Sequence, residues 1–460
     1  MISRGSRARS LLSQGCAIGA MVGVLTACGA DARDAAGPLS ASVAAIEVSA
    51  ATTTLLAGET VRVLAVARDA GGRVLPNATF TFSSSDSAMA VVDAAGTVTA
   101  RGHGAVSVLA SSGSATASVA LHLRLTTEER RFAYALAQEP AAGSAALSLS
   151  QVHNETGGKV SAVRVSRGAY VISFERLAKV ESAFRETVLV TSYGRGGERC
   201  QLSGWDNAVN ARDLNVSVSC YSASGLRSDA RFSVLVVGSR SLPSRMGFTV
   251  AGDATTDFAA EARHTFSSFA DDVAISRSTP GSYLVRMNGS HDDAPESYFV
   301  STFGDASELC KVSAWNHGAW ASVICYAPGG TLADSRFALL MVESGRPGKR
   351  FGFAWANAPA TPIGGSYTPS LDHQRTSSGA PVRINHEATG VYRVSFPGLA
   401  RAAGVAETVH VSPYGGGLYG CQVESWANGA AGDALDALVR CWNQSNGAPA
   451  DTYFTILVVE

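Results

Sequence analysis

The sequence predicts an all-β fold built from several sandwich-like domains. Apolar residues make up 46% of the 460 residues, enough to fill buried cores, while charged residues make up 16%, which is low against a typical value of about 25%. Alternation of apolar and polar residues recurs between turn residues, and long amphipathic helical patterns are absent. A third observation is that one motif with two cysteines and a tryptophan occurs three times, at intervals of 110 and 111 residues (Cys200, Cys310 and Cys421).

Residues 1–28 have the features of an export signal rather than of a folded segment. Arg4, Arg7 and Arg9 precede a short apolar run, which ends in Leu25-Thr26-Ala27-Cys28. This segment resembles a bacterial lipoprotein signal, which implies cleavage before Cys28 and a lipid on its sulfur. An ordinary secretory signal that happens to contain a cysteine is the alternative. Residues 29–43 are small and polar, as expected of a flexible tether, and no later apolar run is long enough to span a membrane.

Residues 44–122 contain short strands separated by turns, with three local motifs in succession. They are Leu55-x-x-Gly58-x-Thr60, Ser83-Ser84-Ser85-Asp86 after Phe82, and Val92-Asp93-x-x-Gly96-x-Val98-Thr99-Ala100. This pattern resembles the group 2 bacterial immunoglobulin-like (Big2) domain. The resemblance implies a seven-stranded sandwich that acts as a spacer or adhesive module on exported proteins, without enzymatic activity.

The rest of the chain consists of three repeats at about 131–238, 245–343 and 350–460. Each has a Gly-x-Tyr strand with strict alternation, then a strand that ends in Tyr-Gly or Phe-Gly, then the Cys-x4-Trp motif, a second Cys and Gly-x3-Asp-x2-Phe. Seven or eight strands in about 100 residues predict a β-sandwich or jelly-roll-like domain per repeat. The repeats are similar to those of exported proteins of environmental bacteria, and the Gly-x-Tyr strand resembles one strand of complement-type jelly-roll heads.

Six cysteines fall as one local pair per repeat. Export into an oxidising compartment predicts disulfides, each joining neighbouring strands of a hairpin: Cys200–Cys220, Cys310–Cys325 and Cys421–Cys441. Zinc is the competing interpretation, but no Cys-x2-Cys knuckle or accompanying His pair is present. We therefore expect neither a metal nor another cofactor.

Three sets of repeated residues are candidates for a weak ligand-binding role. Trp205, Trp315 and Trp426 fit a core tryptophan beside the disulfide, or an exposed platform for sugar rings. The Asp of Gly-x3-Asp-x2-Phe fits a turn that bonds its own backbone, or a calcium ligand. One histidine per repeat occupies a near-equivalent place, which predicts either a surface loop or a threefold site; these are His153, His264 and His373. Trp320 and Trp442 lie outside the repeated pattern and are expected on the surface.

No catalytic motif is present: there is no Gly-x-Ser-x-Gly elbow, and His386-Glu387 is not followed by the second His of a zinc protease. A net charge of −1 gives no field that favours nucleic acid. The sequence therefore predicts a non-enzymatic, lipid-anchored protein of the bacterial cell envelope (outer membrane or cell surface), with the repeats presented for binding or adhesion to a glycan or surface protein. The alternatives are an exported hydrolase acting on glycans and a purely structural envelope component.

The joints between repeats are short and contain Pro243 and Pro347, so neighbouring repeats should touch. A bent rod of separate domains is the default expectation, because large apolar interfaces between domains are needed to hold a compact cluster. A cluster with approximate threefold symmetry is the alternative. If it forms, the three histidines could converge.

Overall fold

A computed structural model of the chain describes 42–56, 58–87, 89–101, 104–124, 131–138, 140, 146–178, 185–209, 213–239, 241, 246–255, 258–259, 264–268, 273–287, 295–317, 319–343 and 349–460. Cys28, the signal segment and nearly all of the predicted tether lie outside the described residues. No helix long and apolar enough to cross a membrane occurs in the described part.

The N-terminal domain is a sandwich of two four-stranded sheets. Its strands are β1 (Ala45–Ala50), β2 (Thr54–Leu56), β3 (Thr60–Arg68), β4 (Thr81–Ser84), β5 (Ala90–Val92), β6 (Thr97–Ala100), β7 (Gly104–Ser112) and β8 (Ala115–Arg124). One sheet has the order β1-β3-β6-β5 and the other β2-β8-β7-β4. Alternate residues of facing strands, such as Val63, Val98, Val108 and Leu121, fill the core between the sheets.

The Val-Asp-x-x-Gly motif of this domain forms the tight turn between β5 and β6. Asp93 accepts hydrogen bonds from the backbone of Ala95 at 2.9 Å and of Thr97 at 2.8 Å. Gly96 has a φ of +81°, and a Cβ there would lie 2.6 Å from the carbonyl oxygen of Val63. The motif is therefore explained by turn geometry and by the close approach of this turn to the neighbouring strand β3 of the same sheet.

The three repeats have corresponding strands. Repeat 1 contains β9 (Phe132–Ala137), β10 (Leu149–Asn154), β11 (Val160–Ser166), β12 (Ala169–Phe174), β13 (Glu186–Tyr193), β14 (Arg199–Asn207), β15 (Leu214–Tyr221) and β16 (Arg231–Gly238). Repeat 2 contains β17 (Met246–Ala251), β18 (Phe258–Ala259), β19 (Phe266–Ser267), β20 (Val273–Thr279), β21 (Ser282–Met287), β22 (Ser297–Phe303), β23 (Leu309–Asn316), β24 (Trp320–Tyr326) and β25 (Arg336–Val342). Repeat 3 contains β26 (Phe351–Ala356), β27 (Ser366–Tyr367), a short 3₁₀ turn (Leu371–His373), β28 (Gln374–Thr376), β29 (Arg383–Ala388), β30 (Val391–Pro397), β31 (Thr408–Tyr414), β32 (Tyr419–Asn428), β33 (Ala434–Asn443), β34 (Ala448–Pro449) and β35 (Tyr453–Val459).

Each repeat is a two-sheet sandwich, as the sequence predicts. In repeat 1 the first sheet has the order β10-β9-β16-β13 and the second β11-β12-β15-β14. The Gly-x-Tyr strand β12 lies in the second sheet, where Tyr170, Ile172 and Phe174 point into the core and the residues between them are half-exposed. The predicted alternation of this strand is thus confirmed.

The sheets of neighbouring repeats are continuous, and this continuity closes the three repeats into a ring. The second sheet of repeat 1 joins the first sheet of repeat 2, the second sheet of repeat 2 joins the first sheet of repeat 3, and the second sheet of repeat 3 joins the first sheet of repeat 1. The expectation of a rod is therefore wrong. We call residues 131–460 the head, because the three sandwiches form one body around an approximate threefold axis.

Each junction is a short parallel contact at a β-bulge. The hairpin strand that carries the Cys-x4-Trp motif slips by one residue just before its Trp, and there it meets the next repeat: Leu202 pairs with Phe303, Val312 with Tyr414 and Val423 with Tyr193. The Gly after each aromatic residue donates its N–H across the junction, from Gly194, Gly304 and Gly415, at 2.8–2.9 Å. The repeated Tyr-Gly or Phe-Gly pair thus marks an interface as well as a turn.

A central apolar cluster lies on the axis and receives equivalent residues from every repeat. Repeat 1 contributes Phe132, Tyr134, Leu189, Leu235 and Val237, and the other two repeats contribute their counterparts, for example Phe248, Leu340, Phe353 and Leu457. At the position of Leu189 and Phe299, repeat 3 has His410, which is fully buried and hydrogen-bonded to Thr191 and Thr408. Burial lowers the pKa of His410 to about 3, so the ring is neutral and compatible with this core. The shared core supplies the large apolar interface that a rod would lack.

Candidate binding site at the interfaces between repeats

All three predicted cysteine pairs are disulfides that join directly opposed residues of adjacent antiparallel strands. They are Cys200–Cys220 across β14 and β15, Cys310–Cys325 across β23 and β24, and Cys421–Cys441 across β32 and β33. Each hairpin therefore holds together the strand that forms the junction with the next repeat.

The repeated tryptophans pack on the core of their own sandwich beside the disulfide and also reach the next repeat. Each is half-buried and packs against the aromatic residue of the neighbouring repeat: Trp205 against Phe303, Trp315 against Tyr414 and Trp426 against Tyr193, with ring centroids 5.0–5.5 Å apart. A β-bulge two residues before each Trp brings the Trp to this interface. The Cys-x4-Trp spacing thus places the Trp where it contacts the neighbouring repeat.

Residues next to the second Cys of each pair also reach the neighbouring repeat. Tyr221 donates its hydroxyl to the Asp305 carbonyl, and Gly417 donates its N–H to the Tyr326 hydroxyl at 3.0 Å. Trp442 occupies the corresponding place in repeat 3, is 8% exposed and packs beside Gly197. The expectation that Trp442 lies on the surface is therefore wrong, because it fills an interface; Trp320 is half-buried.

The interface between repeats 2 and 3 carries far more aromatic side chains than the other two. Trp315 contacts Trp355 and Tyr414, and His373 packs on Trp315 and Trp355 at centroid distances of 5.5 and 4.9 Å. Tyr453 completes the cluster from the edge, 6.3 Å from Trp355 and 6.1 Å from Tyr414. We call these residues, together with His317, the aromatic cluster.

One position explains how the aromatic cluster reaches solvent. In repeats 1 and 2 the residue before the buried Phe of the last strand is an arginine, and Arg231 and Arg336 cover the rings of Tyr193 and Phe303 at 5.0 and 4.4 Å. In repeat 3 the same position holds Tyr453, which is 39% exposed. Trp355 similarly replaces the smaller Leu136 and Val250. This interface therefore presents ring faces where the others present guanidinium groups.

The three predicted histidines do not form one site. His264 and His373 are equivalent, since each lies two residues before the paired strand residue Phe266 or Arg375, and each packs on the Trp of the preceding repeat. His153 instead lies directly opposite Tyr134, in the place that Phe266 and Arg375 take in the other repeats, two residues after the equivalent of His264 and His373. Its ring lies 3.0 Å from the Glu155 carboxylate. The register places Gln151, not His153, at the third position, so the idea of a threefold histidine site is wrong. His373 stacks in parallel on His317 at 5.0 Å, and burial, with the neighbouring His317, lowers the pKa of His373.

The repeated aspartates fasten the Gly-x-Tyr hairpin rather than bonding their own turn. Asp229 accepts two bonds from Arg164 at 2.9 and 2.7 Å, one from the Gly168 backbone and one from the Tyr170 hydroxyl. Asp334 repeats this arrangement with Arg277, Gly281 and Tyr283. The arginine hydrogen bonds hold the pKa of both aspartates at about 2.

In repeat 3 a histidine takes the place of the arginine in this lock. His386 Nε2 lies 2.9 Å from Asp451, which also accepts from Gly390 at 2.6 Å and from Tyr392 at 3.2 Å. The predicted turn in which Asp bonds its own backbone is thus wrong in detail, because the partners come from a distant hairpin. No group of three or more metal-ligating side chains occurs in the residues that the structure describes.

A buried lysine distinguishes the same interface between repeats 2 and 3. After the first Cys, repeat 1 has Gln201, whose amide donates to the Gly304 and Ala306 carbonyls of repeat 2. Repeat 2 has Lys311 instead, fully buried, with Nζ 3.0 Å from the Gly416 carbonyl and near the rings of Tyr326 and Tyr419. Burial lowers the pKa of Lys311 to about 7.

Sequence reasoning missed Trp355, Tyr453 and Lys311 as members of an interface. A signal was available for each, because aligning the repeats shows an aromatic residue where the siblings have Arg, Leu or Val, and a lysine where they have glutamine. That the three positions meet could not be read from the repeats individually.

Comparison with known proteins supports the prediction of an immunoglobulin-like domain at the N-terminal end of the described chain. Residues 68–114 match the family model described as the immunoglobulin-like domain of intimin, within the sandwich of β1–β8. A search of curated proteins finds no match. Among solved structures, the crystal structure of the S-layer protein rSbsC(31-844) matches at 11% identity over 63% of this chain and 37% of that chain, with a TM-score of 0.19. A TM-score this low carries no structural argument.

The chain thus contains an intimin-type immunoglobulin-like domain in an all-β architecture stapled by three disulfides. These features point to an exported or surface protein with a role related to adhesion.

Proposed function

We propose that this protein is a non-enzymatic, lipid-anchored binding protein of the bacterial cell envelope. Lipid on Cys28 would hold it to a membrane, the tether and the immunoglobulin-like domain would act as the spacer, and the head would engage a glycan on a neighbouring surface. The observation that carries this proposal is the aromatic cluster, which reaches solvent at Tyr453.

The chemistry of the aromatic cluster suits a carbohydrate. Tyr and Trp offer large, rigid faces with negative potential, on which the C–H face of a sugar ring can stack at small entropic cost. Rigidity here comes from the ring packing itself and from the disulfide Cys310–Cys325 on the same hairpin. A second copy of the head on the same membrane would add avidity without new contacts.

Two variants copy sibling repeats and therefore test the cluster without inventing new geometry. Tyr453→Arg reproduces Arg231 and Arg336, and Trp355→Val reproduces Val250. On a glycan array we expect the wild-type chain to retain a defined subset of glycans and both variants to lose at least tenfold in affinity. Leu226→Ser, which changes an exposed apolar residue of repeat 1, is the matched control and should bind normally. Equal binding by all four proteins would refute the site.

Anchoring is tested separately. Cys28→Ser should move the protein from the membrane fraction to the soluble fraction. The variant should also fail to incorporate a radioactive fatty acid, because the sulfur that would carry the lipid is absent. Membrane retention of this variant would contradict lipidation at Cys28.

A glycan hydrolase is the second candidate, because a cleft of about 430 Å³ in repeat 2 is lined by four carboxylates: Asp253, Asp305, Glu308 and Asp334. A general acid requires a raised pKa, whereas Arg277 lowers that of Asp334 to about 2. Release of reducing ends from the array glycans, abolished by Glu308→Gln, would favour the hydrolase over the binding protein.

A further inference from the structure

A small cavity lies on the approximate threefold axis of the head and is lined by all three repeats. Its volume is about 40 Å³, and its wall includes Val190, Val300 and Val411 together with the first Cys of each disulfide. A single water needs roughly 10–15 Å³. The cavity therefore has room for a few waters or for one small ion.

The side of the cavity nearest the central apolar cluster has its polar groups satisfied. The Ser301 hydroxyl accepts a hydrogen bond from the Val190 N–H at 2.8 Å and donates one to the Val190 carbonyl. The Ser412 hydroxyl likewise accepts from the Val300 N–H at 2.9 Å and donates to the Val300 carbonyl. The Thr191 hydroxyl makes the third such pair, accepting from the Val411 N–H and donating to the Val411 carbonyl. These three hydroxyls bond the backbone of the neighbouring repeat and do not require a ligand.

The opposite wall is different, because it contains a buried guanidinium. Arg199 is 6% exposed, and its Nη2 donates to the Ser307 carbonyl at 3.0 Å. Its Nε and Nη1 are buried and have no hydrogen-bond partner. The carboxylate of Glu308 attracts the guanidinium, but no ion pair with it occurs in the described part of the chain. Repeats 2 and 3 have Leu309 and Gly420 at this position, so repeat 1 alone has a positive charge there.

A second unpartnered donor comes from repeat 3. Gln422 is 2% exposed and lines the same cavity, and its Nε2 has no partner, whereas the equivalent Gln201 and Lys311 donate to carbonyl groups of the next repeat. Gln444, also in the wall, has an unpartnered Oε1; a flip of this amide would turn a further N–H₂ toward the cavity.

We propose that the axial cavity binds one small monovalent anion, such as a halide or nitrate, held by Arg199 and Gln422. A buried positive charge without a directly paired counterion is unfavourable, and for Arg199 the cost of burial outweighs the attraction of Glu308. Buried N–H donors without acceptors add to that penalty. An anion corrects both, while water corrects only the second. The half-buried carboxylate of Glu198 at the same cavity repels any anion, and it repels a multiply charged ion such as sulfate more strongly than a monovalent one.

The anion would bridge repeats that contribute opposite walls, so its binding should stabilise the closed ring. Thermal unfolding of the purified full chain is measured at constant ionic strength while sodium gluconate, whose anion is too large for the cavity, is replaced by sodium bromide. We expect the midpoint of the head transition to rise by several degrees and to saturate. Arg199→Leu, which copies Leu309, should abolish this rise.

Arg195→Leu is the matched control, since Arg195 lies on the same turn but is exposed and pairs with Glu424. It removes the same net charge and should keep the bromide response. Gln422→Leu should weaken the response without altering the charge, and it keeps the test open if Arg199→Leu does not fold.

Anomalous scattering from wild-type crystals grown in bromide gives a direct result. A peak between Arg199 and Gln422 is expected. The proposal is overturned if that position holds only water, or if Arg199→Leu responds to bromide as the wild type does, since bromide would then act through the surface alone. Neither result bears on glycan binding at the aromatic cluster, which is tested independently.

Discussion

The immunoglobulin-like domain and the head are both β-sandwiches, but they are completed in different ways. The N-terminal domain pairs its eight strands among themselves and fills its core from its own sheets. Each repeat of the head, by contrast, continues its two sheets into two neighbours and gives part of its apolar surface to a shared axial core. Similar local patterns can therefore produce an independent domain or a part of a larger body. The outcome depends on whether the edge strands of the sheets pair with a neighbouring repeat.

The strongest test of this difference removes apolar volume from the axis. Phe248→Ala is expected to destabilise the head by about 3–5 kcal/mol, because it leaves a cavity in a core that all three repeats share. Hydrogen exchange should show lower protection in repeats 1 and 3 as well as in repeat 2, with β1–β8 unchanged.

Val108→Ala in the core of the N-terminal domain is the control, and it should lower protection there alone. Loss of protection confined to repeat 2 in the Phe248→Ala protein would show that the repeats are independent domains after all.

The second-largest expected effect is loss of a disulfide, which should destabilise the head but not the N-terminal domain. Replacing Cys310 and Cys325 by Ser opens a 15-residue loop and should lower the free energy of unfolding of the head by about 3 kcal/mol, measured by urea denaturation. The N-terminal domain contains no cysteine, so reductant should leave its transition in place. Peptide mapping without reduction should recover three local pairs, and any pair between repeats would contradict the structure.

Lys311 offers a pH-dependent test of the interface between repeats 2 and 3. The pKa is about 7 in the folded protein and 10.5 when unfolded. Between these values the unfolded chain binds the extra proton, so stability rises with pH in this range; below pH 7 both states are protonated and the penalty is complete.

Lys311→Gln, which copies Gln201, should therefore stabilise the head by about 2 kcal/mol at pH 6, on the scale of the pKa gap reduced by the bond to Gly416. The difference from wild type should shrink toward pH 10. Lys349→Gln, at an exposed ion pair with Glu460, controls for loss of a charge and should show no such trend. A constant difference across pH would rule out the buried charge as its cause.

The smallest expected effect compares the aspartate locks. Asp229→Asn should cost about 1–2 kcal/mol, because it removes the paired bonds to Arg164. Asp451→Asn should cost less, since its carboxylate is more exposed, at 35%, and its partner is His386. Acid titration adds a direction: with a folded pKa of about 2 against 3.8 unfolded, the Asp229 contribution is complete above pH 4 and is lost as pH falls toward 2. Equal effects at both positions would contradict this ranking.

Local features were predictable from the sequence, whereas features that depend on association were not. Alternation identified strands such as Ala169–Phe174, and spacing identified the disulfides, because both are set by neighbours within one hairpin. The contact of Trp205 with the core was predicted, but its contact with Phe303 of the next repeat was missed, because a half-buried Trp has the same sequence pattern in a core and at an interface. The register that excludes His153 from the histidine set depends on pairing of β10 with β9, which sequence spacing alone does not fix.

The closed arrangement of the sheets also fixes the number of repeats. Each repeat has one edge that donates a junction and one that receives it, and a head-to-tail contact of this kind closes after three copies. Three separate chains with one repeat each would carry the same complementary edges, and a ring of such chains would be strictly symmetric. Joining the copies in one chain releases them from strict symmetry, so that one position on one copy can change alone. Arg199, Lys311 and Tyr453 are such changes, and each creates a chemistry that a symmetric trimer could hold only in triplicate.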